Sequence, residues 1–166
     1  MRGVFVASNL EAMTTRIVID EFLRQKRIAV VGVSRNPKDF SRALFREFVK
    51  RGYDVVPVNP NVAAIEGRTC YRRLQEITPP VDGALLMTSA QQCEAVVRDC
   101  AEAGISRVWM YRGAGPGAVS QEAVAFCDAH GIGVVPGHCP YMFWPDVPFF
   151  HRLHGFMAKL TGAYPR

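Results

Sequence analysis

Five short apolar runs alternate with amphipathic segments along the chain. Their lengths are typical of buried strands, and they cover residues 28–31, 53–60, 81–87, 107–111 and 132–135. Between them, apolar residues recur at three- and four-residue spacing, which predicts helices over residues 14–26, 39–51, 90–103 and 121–130. Residues 61–67 are rich in turn formers, and residues 71–75 are predicted to form a short helix. This alternation predicts the α/β fold class: a single doubly wound parallel sheet of about five strands with helices on both faces.

The composition is that of an ordinary globular domain. The chain has 166 residues, 49% of them hydrophobic, and no apolar stretch reaches the roughly 18 residues that a membrane span needs. Its first residues lack the features of a secretory signal. The five cysteines form no CxxC pair, which argues against a disulfide framework or a zinc ribbon. We therefore expect a cytoplasmic protein with a loosely ordered N-terminus over residues 1–15.

Positive charge is concentrated in one part of the chain. The net charge is +5, yet residues 24–51 hold nine basic and two acidic residues, a net of +7 that leaves −2 for the remainder. Nucleic-acid binding usually requires a broader basic face, so we expect neither nucleic acid nor a membrane as a partner. A compact anionic ligand accounts for a local surplus. Solvated side chains on the outer face of a helix remain the alternative for Arg46, Lys50 and Arg51.

Ligands of doubly wound sheets bind beyond the carboxyl ends of the strands, where the strand order reverses. This rule gathers the loops at residues 32–41, 59–60, 88–89 and 112–117 into one candidate rim. The first loop lacks both GxxxxGK[ST] and GxGxxG, which disfavours a P-loop site and an NAD site. The second strand ends at Asn59-Pro60, without the acid that would bind the ribose of NAD. NADP would not need that acid.

The first loop carries groups that suit a phosphate. Ser34 and Ser41 can donate hydroxyl hydrogen bonds to a diphosphate, and Arg35 can donate two in a fork. Lys38 or Arg42 can supply charge to a further phosphate. The alternative is that Ser34 is only a turn residue and Ser41 only a residue of the first helical turn.

Three segments resemble the CoA-binding domain family, whose members are similar to the N-terminal domain of the succinyl-CoA synthetase α subunit. They are residues 30–37 (VVGVSRNP), residues 52–60 (GYDVVPVNP), and residues 108–110 (VWM) followed by a glycine-rich loop. The resemblance covers residues 16–140, and it implies a Rossmann-like fold with CoA as the cofactor. It places the CoA diphosphate at the first loop, the adenosine beside the second strand, and Thr88 in the pocket. The predicted CoA-binding residues are Gly32, Val33, Ser34, Arg35, Lys38, Ser41, Arg42, Val58, Asn59, Pro60, Thr88 and Ser89.

The chain departs from the family pattern at three places. The third strand ends Met87-Thr88-Ser89 where a basic or proline-rich loop is common, the loop at residues 113–117 is richer in glycine, and an aromatic tail follows. We expect residues 16–139 to form the CoA-binding domain. Residues 140–166 would then pack on it or form the contact of a homodimer.

No catalytic or metal-binding residue is predicted. His138, His151 and His154 have no spacing that makes them converge on a metal. Cys139 is either a nucleophile activated by nearby basic residues or, as we favour, a core residue. The predicted function is binding of CoA or an acyl-CoA in a non-catalytic or regulatory role. The alternative is a small enzyme that depends on NADP or another nucleotide.

Overall fold

The computed structural model describes residues 15–113 and 117–146. Its helices are α1 over residues 15–23, α2 (Phe40–Lys50), α3 (Ala90–Glu102) and α4 (Gln121–Ala129). Its strands are β1 (Arg27–Val31), β2 (Asp54–Val58), β3 (Ala64–Ile65), β4 (Arg68–Thr69), β5 (Gly83–Leu86), β6 (Arg107–Met110) and β7 (Gly133–Pro136). Two single 3₁₀ turns cover Leu74–Glu76 and Pro140–Phe143.

The central sheet has five parallel strands in the order β2-β1-β5-β6-β7. The chain therefore leaves β1 in one direction to form β2 and later builds β5, β6 and β7 on the other side. The order reverses between β1 and β5, so this is the switch point at which such sheets bind ligands. The predicted α/β class and Rossmann-like sheet are confirmed.

Two hydrophobic cores cover the two faces of the sheet. Alternate strand residues point to opposite faces, so Ile28 and Val30 of β1 pack against α1 and α2, whereas Ala29 and Val31 pack against α3 and α4. Because the central strands are buried on both faces, their sequences are nearly continuous apolar runs instead of alternating ones. Trp109 of β6 is fully buried in the core that lies between the sheet and helices α1 and α2. The sheet is thus a rigid base for the loops at its carboxyl edge.

Local signals explain where the helices begin. Asp39 caps α2, since its carboxylate accepts a hydrogen bond from the Ser41 amide at 2.8 Å. Ser89 and Gln92 form a capping box at the start of α3, and the Ser120 hydroxyl caps α4. At the far end of α2, Gly52 adopts φ +87°, a conformation that suits glycine in a helix C-terminal cap.

The segment between β2 and β5 differs from the prediction. Residues 61–69 contain the small antiparallel hairpin β3–β4, which the turn-rich composition did not predict. The short helix predicted over residues 71–75 is wrong: Tyr71 pairs with Val58 as an isolated parallel bridge, and a 3₁₀ turn follows at Leu74–Glu76. The hairpin folds back toward α2, which gives it a role at the site described below.

The early aromatic residues of the tail pack against the domain. Trp144 is 9% exposed, and Tyr141 and Phe143 lie against the same core as α1 and α2. The guanidinium of Arg51 stacks over the Trp144 ring at 4.3 Å and forms an ion pair with Glu47. The interpretation of Arg51 as merely solvated is therefore wrong. The later aromatic residues, from position 149 onward, and His151 and His154 lie outside the described residues.

Among residues 15–113 and 117–146, no helix combines the length and the apolarity that crossing a bilayer requires. Within the same ranges, no three histidine, cysteine, aspartate or glutamate side chains are grouped so that they could hold a metal ion.

Candidate functional site

Two cavities meet at the switch point of the sheet. The first has a volume of about 360 Å³ and extends from the end of β1 toward the start of α2 and the end of β6. The second has a volume of about 390 Å³ and extends from the end of β1 toward the end of β2 and the side of α3. Both are lined by Gly32 and Thr88, the residues that follow β1 and β5. These two residues form the junction of a single bent cleft.

Gly32 brings two backbones unusually close at this junction. It adopts φ +88°, and its amide donates to the Val58 carbonyl at 3.0 Å. A Cβ at this position would lie 2.9 Å from the Met87 carbonyl oxygen and 3.2 Å from Cγ2 of Thr88. Only glycine fits here without a shift of the backbone, because the end of β5 fills the space of a side chain. Gly32 therefore lines both cavities without a side chain.

Thr88 carries an unsatisfied polar atom at the same point. Its Oγ1 is buried and has no hydrogen-bond partner among the described residues. A buried hydroxyl without a partner costs about 1–3 kcal/mol, so such groups are rare and point to a missing partner. Rotation about a single side-chain bond moves a threonine hydroxyl between staggered positions, and here the side chain lines both cavities. An acceptor oxygen of a ligand is a suitable partner.

The first loop is tied together by its own side chains. The Ser41 hydroxyl donates to Asp39 at 2.5 Å and accepts from the Ser34 amide at 2.9 Å, and Ser41 is only 4% exposed. The Ser34 hydroxyl accepts from the Asn36 amide at 3.1 Å. Both serines line the first cavity. Ser41 therefore positions the loop, and its direct contact with a phosphate stays a prediction.

Asp39 places a carboxylate beside the junction. Because this group caps α2 and lines the first cavity, the N-terminus of α2 is already occupied by an internal anion. A second anion is better accommodated at Gly32 and Thr88 than directly on the helix axis.

Arg42 holds the outer side of the first loop. Its guanidinium donates to the carbonyls of Ser34 at 3.2 Å and Arg35 at 3.4 Å, and it pairs with Glu66 at 2.6 Å. Arg46 shares the same Glu66 oxygen at 2.9 Å and donates to the Pro37 carbonyl at 2.8 Å. Three carbonyls of the first loop are thus engaged by arginines. Both guanidiniums lower the pKa of Glu66 and keep it ionised.

This arrangement changes the interpretation of the basic segment. Arg42 was a candidate for a further phosphate, but its side chain is only 12% exposed and is paired with the hairpin. Arg35 and Lys38 are exposed, line neither cavity, and form no ion pair with any residue that the structure describes. They are the cations of this loop that a ligand can still recruit.

The end of β2 forms the wall of the second cavity. Asn59 links it to the first loop, since its side-chain amide donates to the Val33 carbonyl at 2.8 Å while its Oδ1 accepts from the Asn61 amide at 2.9 Å. Val58, Asn59 and Pro60 all line this cavity. The structure thus brings the predicted adenosine-side residues together beside Gly32.

Besides Arg35, Lys38 and Arg42, two further predicted residues do not present their side chains to either cavity. Val33 is fully buried in the core with α1 and α2, so only its backbone faces the loop. Ser89 is exposed, but its hydroxyl is used by the capping box of α3. Their roles as ligand contacts stay predictions.

The sequence prediction missed several residues that line the cleft. The second cavity is also lined by Arg72, Arg73 and Gln92, and the first by Phe40, Met87 and Tyr111. Both arginines are exposed, and Arg73 pairs with Asp99 at 2.7 Å. Phe40 matched the apolar helical spacing of α2, but it is 39% exposed at the first turn. A basic pair directly before the 3₁₀ turn was the signal that could have found Arg72.

The groups considered for catalysis are not activated. Burial raises the pKa of the Cys139 thiol to about 11, so the thiolate is scarce at neutral pH. Burial, together with Arg112, lowers the pKa of His138, which favours the neutral imidazole. Neither residue lines the two cavities.

Comparison with known proteins identifies the family. The family model described as a CoA binding domain matches residues 26–145, which include the whole sheet and both cavities. The chain therefore belongs to the CoA-binding domain family.

Two relatives and one solved structure are similar to this chain over about three quarters of its length or slightly less. The protein YneT of Bacillus subtilis is 30% identical over 116 residues, which are 70% of this chain and 83% of YneT. The α subunit of the ADP-forming acetate–CoA ligase II of Pyrococcus furiosus is 25% identical over 130 residues, 74% of this chain but only 28% of the subunit. A structure of a Pyrococcus horikoshii protein superposes with a TM-score of 0.69 at 25% identity, covering 76% of this chain and 86% of the other.

Proposed function

We propose that this protein binds CoA or an acyl-CoA, with the diphosphate over Gly32 and Thr88. The unpartnered hydroxyl of Thr88 carries this proposal, because the residue lies at the switch point and its side chain lines both cavities. Gly32 lines both cavities without a side chain, so a diphosphate can lie against its backbone. Arg42 and Arg46 hydrogen-bond carbonyl oxygens of the loop that would otherwise repel a phosphate. A relative whose name is that of a CoA ligase subunit supports CoA as the nucleotide.

The two cavities suit the two ends of the ligand. The adenosine with its 3′-phosphate would lie along Val58, Asn59 and Pro60, where Arg72 offers an exposed guanidinium. Arg35 and Lys38 would add charge at the diphosphate. The pantetheine arm would then leave through the first cavity.

We propose a binding or regulatory role for this domain. Cys139 and His138 are the groups considered for covalent or acid–base chemistry. The raised pKa of the thiol and the lowered pKa of the imidazole both leave the neutral form dominant at pH 7. The unpartnered Thr88 hydroxyl and the exposed Arg72 beside the cleft support the binding of an anionic nucleotide.

The Thr88→Val substitution tests the proposal. Removal of an unpartnered hydroxyl should leave the free protein at least as stable as the wild type in urea unfolding. It should weaken CoA about tenfold or more in calorimetric titration, because a hydrogen bond to a charged group contributes about 1.5–3 kcal/mol.

Ser120→Ala is the matched control. Its hydroxyl caps α4 and has partners, so its loss should cost about 1 kcal/mol of stability and leave CoA affinity unchanged. The proposal fails if Thr88→Val destabilises the free protein and binds CoA as tightly as the wild type.

A further inference from the structure

An exposed aromatic side chain stands at the mouth of the first cavity. Phe40 and Ile17 are the large apolar residues that stay exposed in the described ranges, at 39% and 57%. Ile17 lies on α1 and lines neither cavity, whereas Phe40 is the first residue of α2 and lines the first cavity. A single exposed apolar residue is ordinary, and Phe40 is distinguished by its place in the wall of a candidate ligand cleft.

Phe40 is the centre of a group of three rings. Its centroid lies 5.5 Å from that of Tyr111 and 6.1 Å from that of Tyr141. The three residues, which we name the aromatic rim, come from separate segments: the start of α2, the end of β6 and the 3₁₀ turn after β7. Burial raises the pKa of Tyr111 to about 12, so its ring stays a neutral phenol at physiological pH. The rim is an aromatic cluster at the carboxyl edge of the sheet, and Phe40 and Tyr111 of this cluster line the first cavity.

The two cavities differ in the charges that line them. Among the described residues, the first cavity is lined by the carboxylate of Asp39 and by no basic residue. The second is lined by Arg72 and Arg73 together with Asp99. If the diphosphate of CoA lies at the shared junction, its phosphorylated nucleoside therefore lies toward the arginines of the second cavity. The uncharged pantetheine arm then lies beside the aromatic rim.

We propose that the aromatic rim is a seat for an apolar acyl group, so that the preferred ligand is an acyl thioester and free CoA binds more weakly. This inference rests on the proposed function, since the thioester arm reaches the rim only if the diphosphate lies at Gly32 and Thr88. Met87, which also lines the first cavity, adds a flexible apolar contact suited to chains of different shape. Each methylene that is buried against these groups tightens binding by about fourfold.

Calorimetric titration with three probes tests the seat. Adenosine 3′,5′-diphosphate has no arm, CoA has the arm without an acyl group, and hexanoyl-CoA carries an apolar chain. For the wild type we expect hexanoyl-CoA to bind at least tenfold more tightly than CoA. Phe40→Ser should remove that gain and leave the affinity for adenosine 3′,5′-diphosphate unchanged.

Ile17→Ser is the matched control, because it removes a still more exposed apolar side chain that lines neither cavity. It should preserve the tenfold difference. Equal binding of CoA and hexanoyl-CoA to the wild type would overturn the acyl seat while leaving CoA binding intact. A loss of adenosine 3′,5′-diphosphate binding in Phe40→Ser would also overturn it, since the rim would then hold the nucleotide. Failure of all three probes to bind would overturn the proposed function itself.

Discussion

Replacing Gly32 by alanine perturbs the point at which both cavities meet. Two effects act together at this position. The residue has φ +88°, and left-handed backbone costs an L-residue roughly 1–2 kcal/mol. The new methyl group would also lie 2.9 Å from the Met87 carbonyl oxygen, a backbone atom that cannot rotate away.

Gly52→Ala separates these two effects. Gly52 has φ +87°, nearly the same as Gly32, but a Cβ there would meet no atom within 4 Å. Its substitution should therefore cost only the conformational part, about 1–2 kcal/mol. Gly32→Ala adds an overpacking cost of about 1–3 kcal/mol, which gives a total of about 2–5 kcal/mol.

Urea unfolding of the two variants measures the difference directly, and CoA titration of each variant under folded conditions measures the site. Gly32→Ala should be the less stable by about 1–3 kcal/mol, and it should lose CoA binding because the methyl group separates the strand ends. Gly52→Ala should bind CoA as the wild type does. Equal destabilisation by the two substitutions, or unchanged CoA affinity in Gly32→Ala, would refute the reasoning.

Three further predictions follow from single side chains. Arg35→Ala should weaken CoA binding about tenfold, and the loss of affinity should be larger at low salt. Arg51→Ala should leave CoA affinity unchanged and lower the free energy of unfolding by about 1 kcal/mol, because Arg51 stacks on Trp144. His138 has a lowered pKa in the folded protein, so stability should fall as pH drops below about 6.5; His138→Asn should flatten that fall in acid unfolding. Cys139 should react with iodoacetamide at pH 8 at least about a hundredfold more slowly than a free thiol, as followed by mass spectrometry.

Each of these predictions has a contradicting result. Equal loss of CoA affinity in Arg35→Ala and Arg51→Ala would mean that only general electrostatics matters. An acid unfolding profile that is identical in wild type and His138→Asn would show that protonation of this imidazole does not lower the stability in acid. Labelling of Cys139 at the rate of a free thiol would contradict its burial.

The sheet could be predicted from the sequence because each strand is a local apolar run with a clear end. Residues 28–31 are followed by glycine and residues 54–58 by Asn59-Pro60, so both the pattern and its stops are local. The strand order β2-β1-β5-β6-β7 could not be predicted in this way, because local patterns do not record which strands pair. The β3–β4 hairpin was missed because its strands have two residues each, and its turn places Glu66, a non-glycine residue, at φ +50°.

The site was less predictable because several of its side chains contact residues that are far away in the sequence. Arg42 was predicted to bind a phosphate, and its spacing gave no sign that Glu66, 24 residues away in sequence, pairs with it. Arg51 is likewise held by Trp144 of the tail. Phe40 fits the helical period of the core, and only the position of Tyr111 and Tyr141 shows that it faces the cleft instead. Spacing along the chain carries no information on such contacts.

Calorimetric titration of the wild-type protein with CoA and NADP side by side tests the central claim most directly. Both ligands carry a diphosphate and a further phosphate, so general attraction to the basic loop would bind them alike. The account predicts saturable one-to-one binding of CoA, with NADP binding much more weakly. Binding of NADP with no response to CoA or hexanoyl-CoA would contradict it.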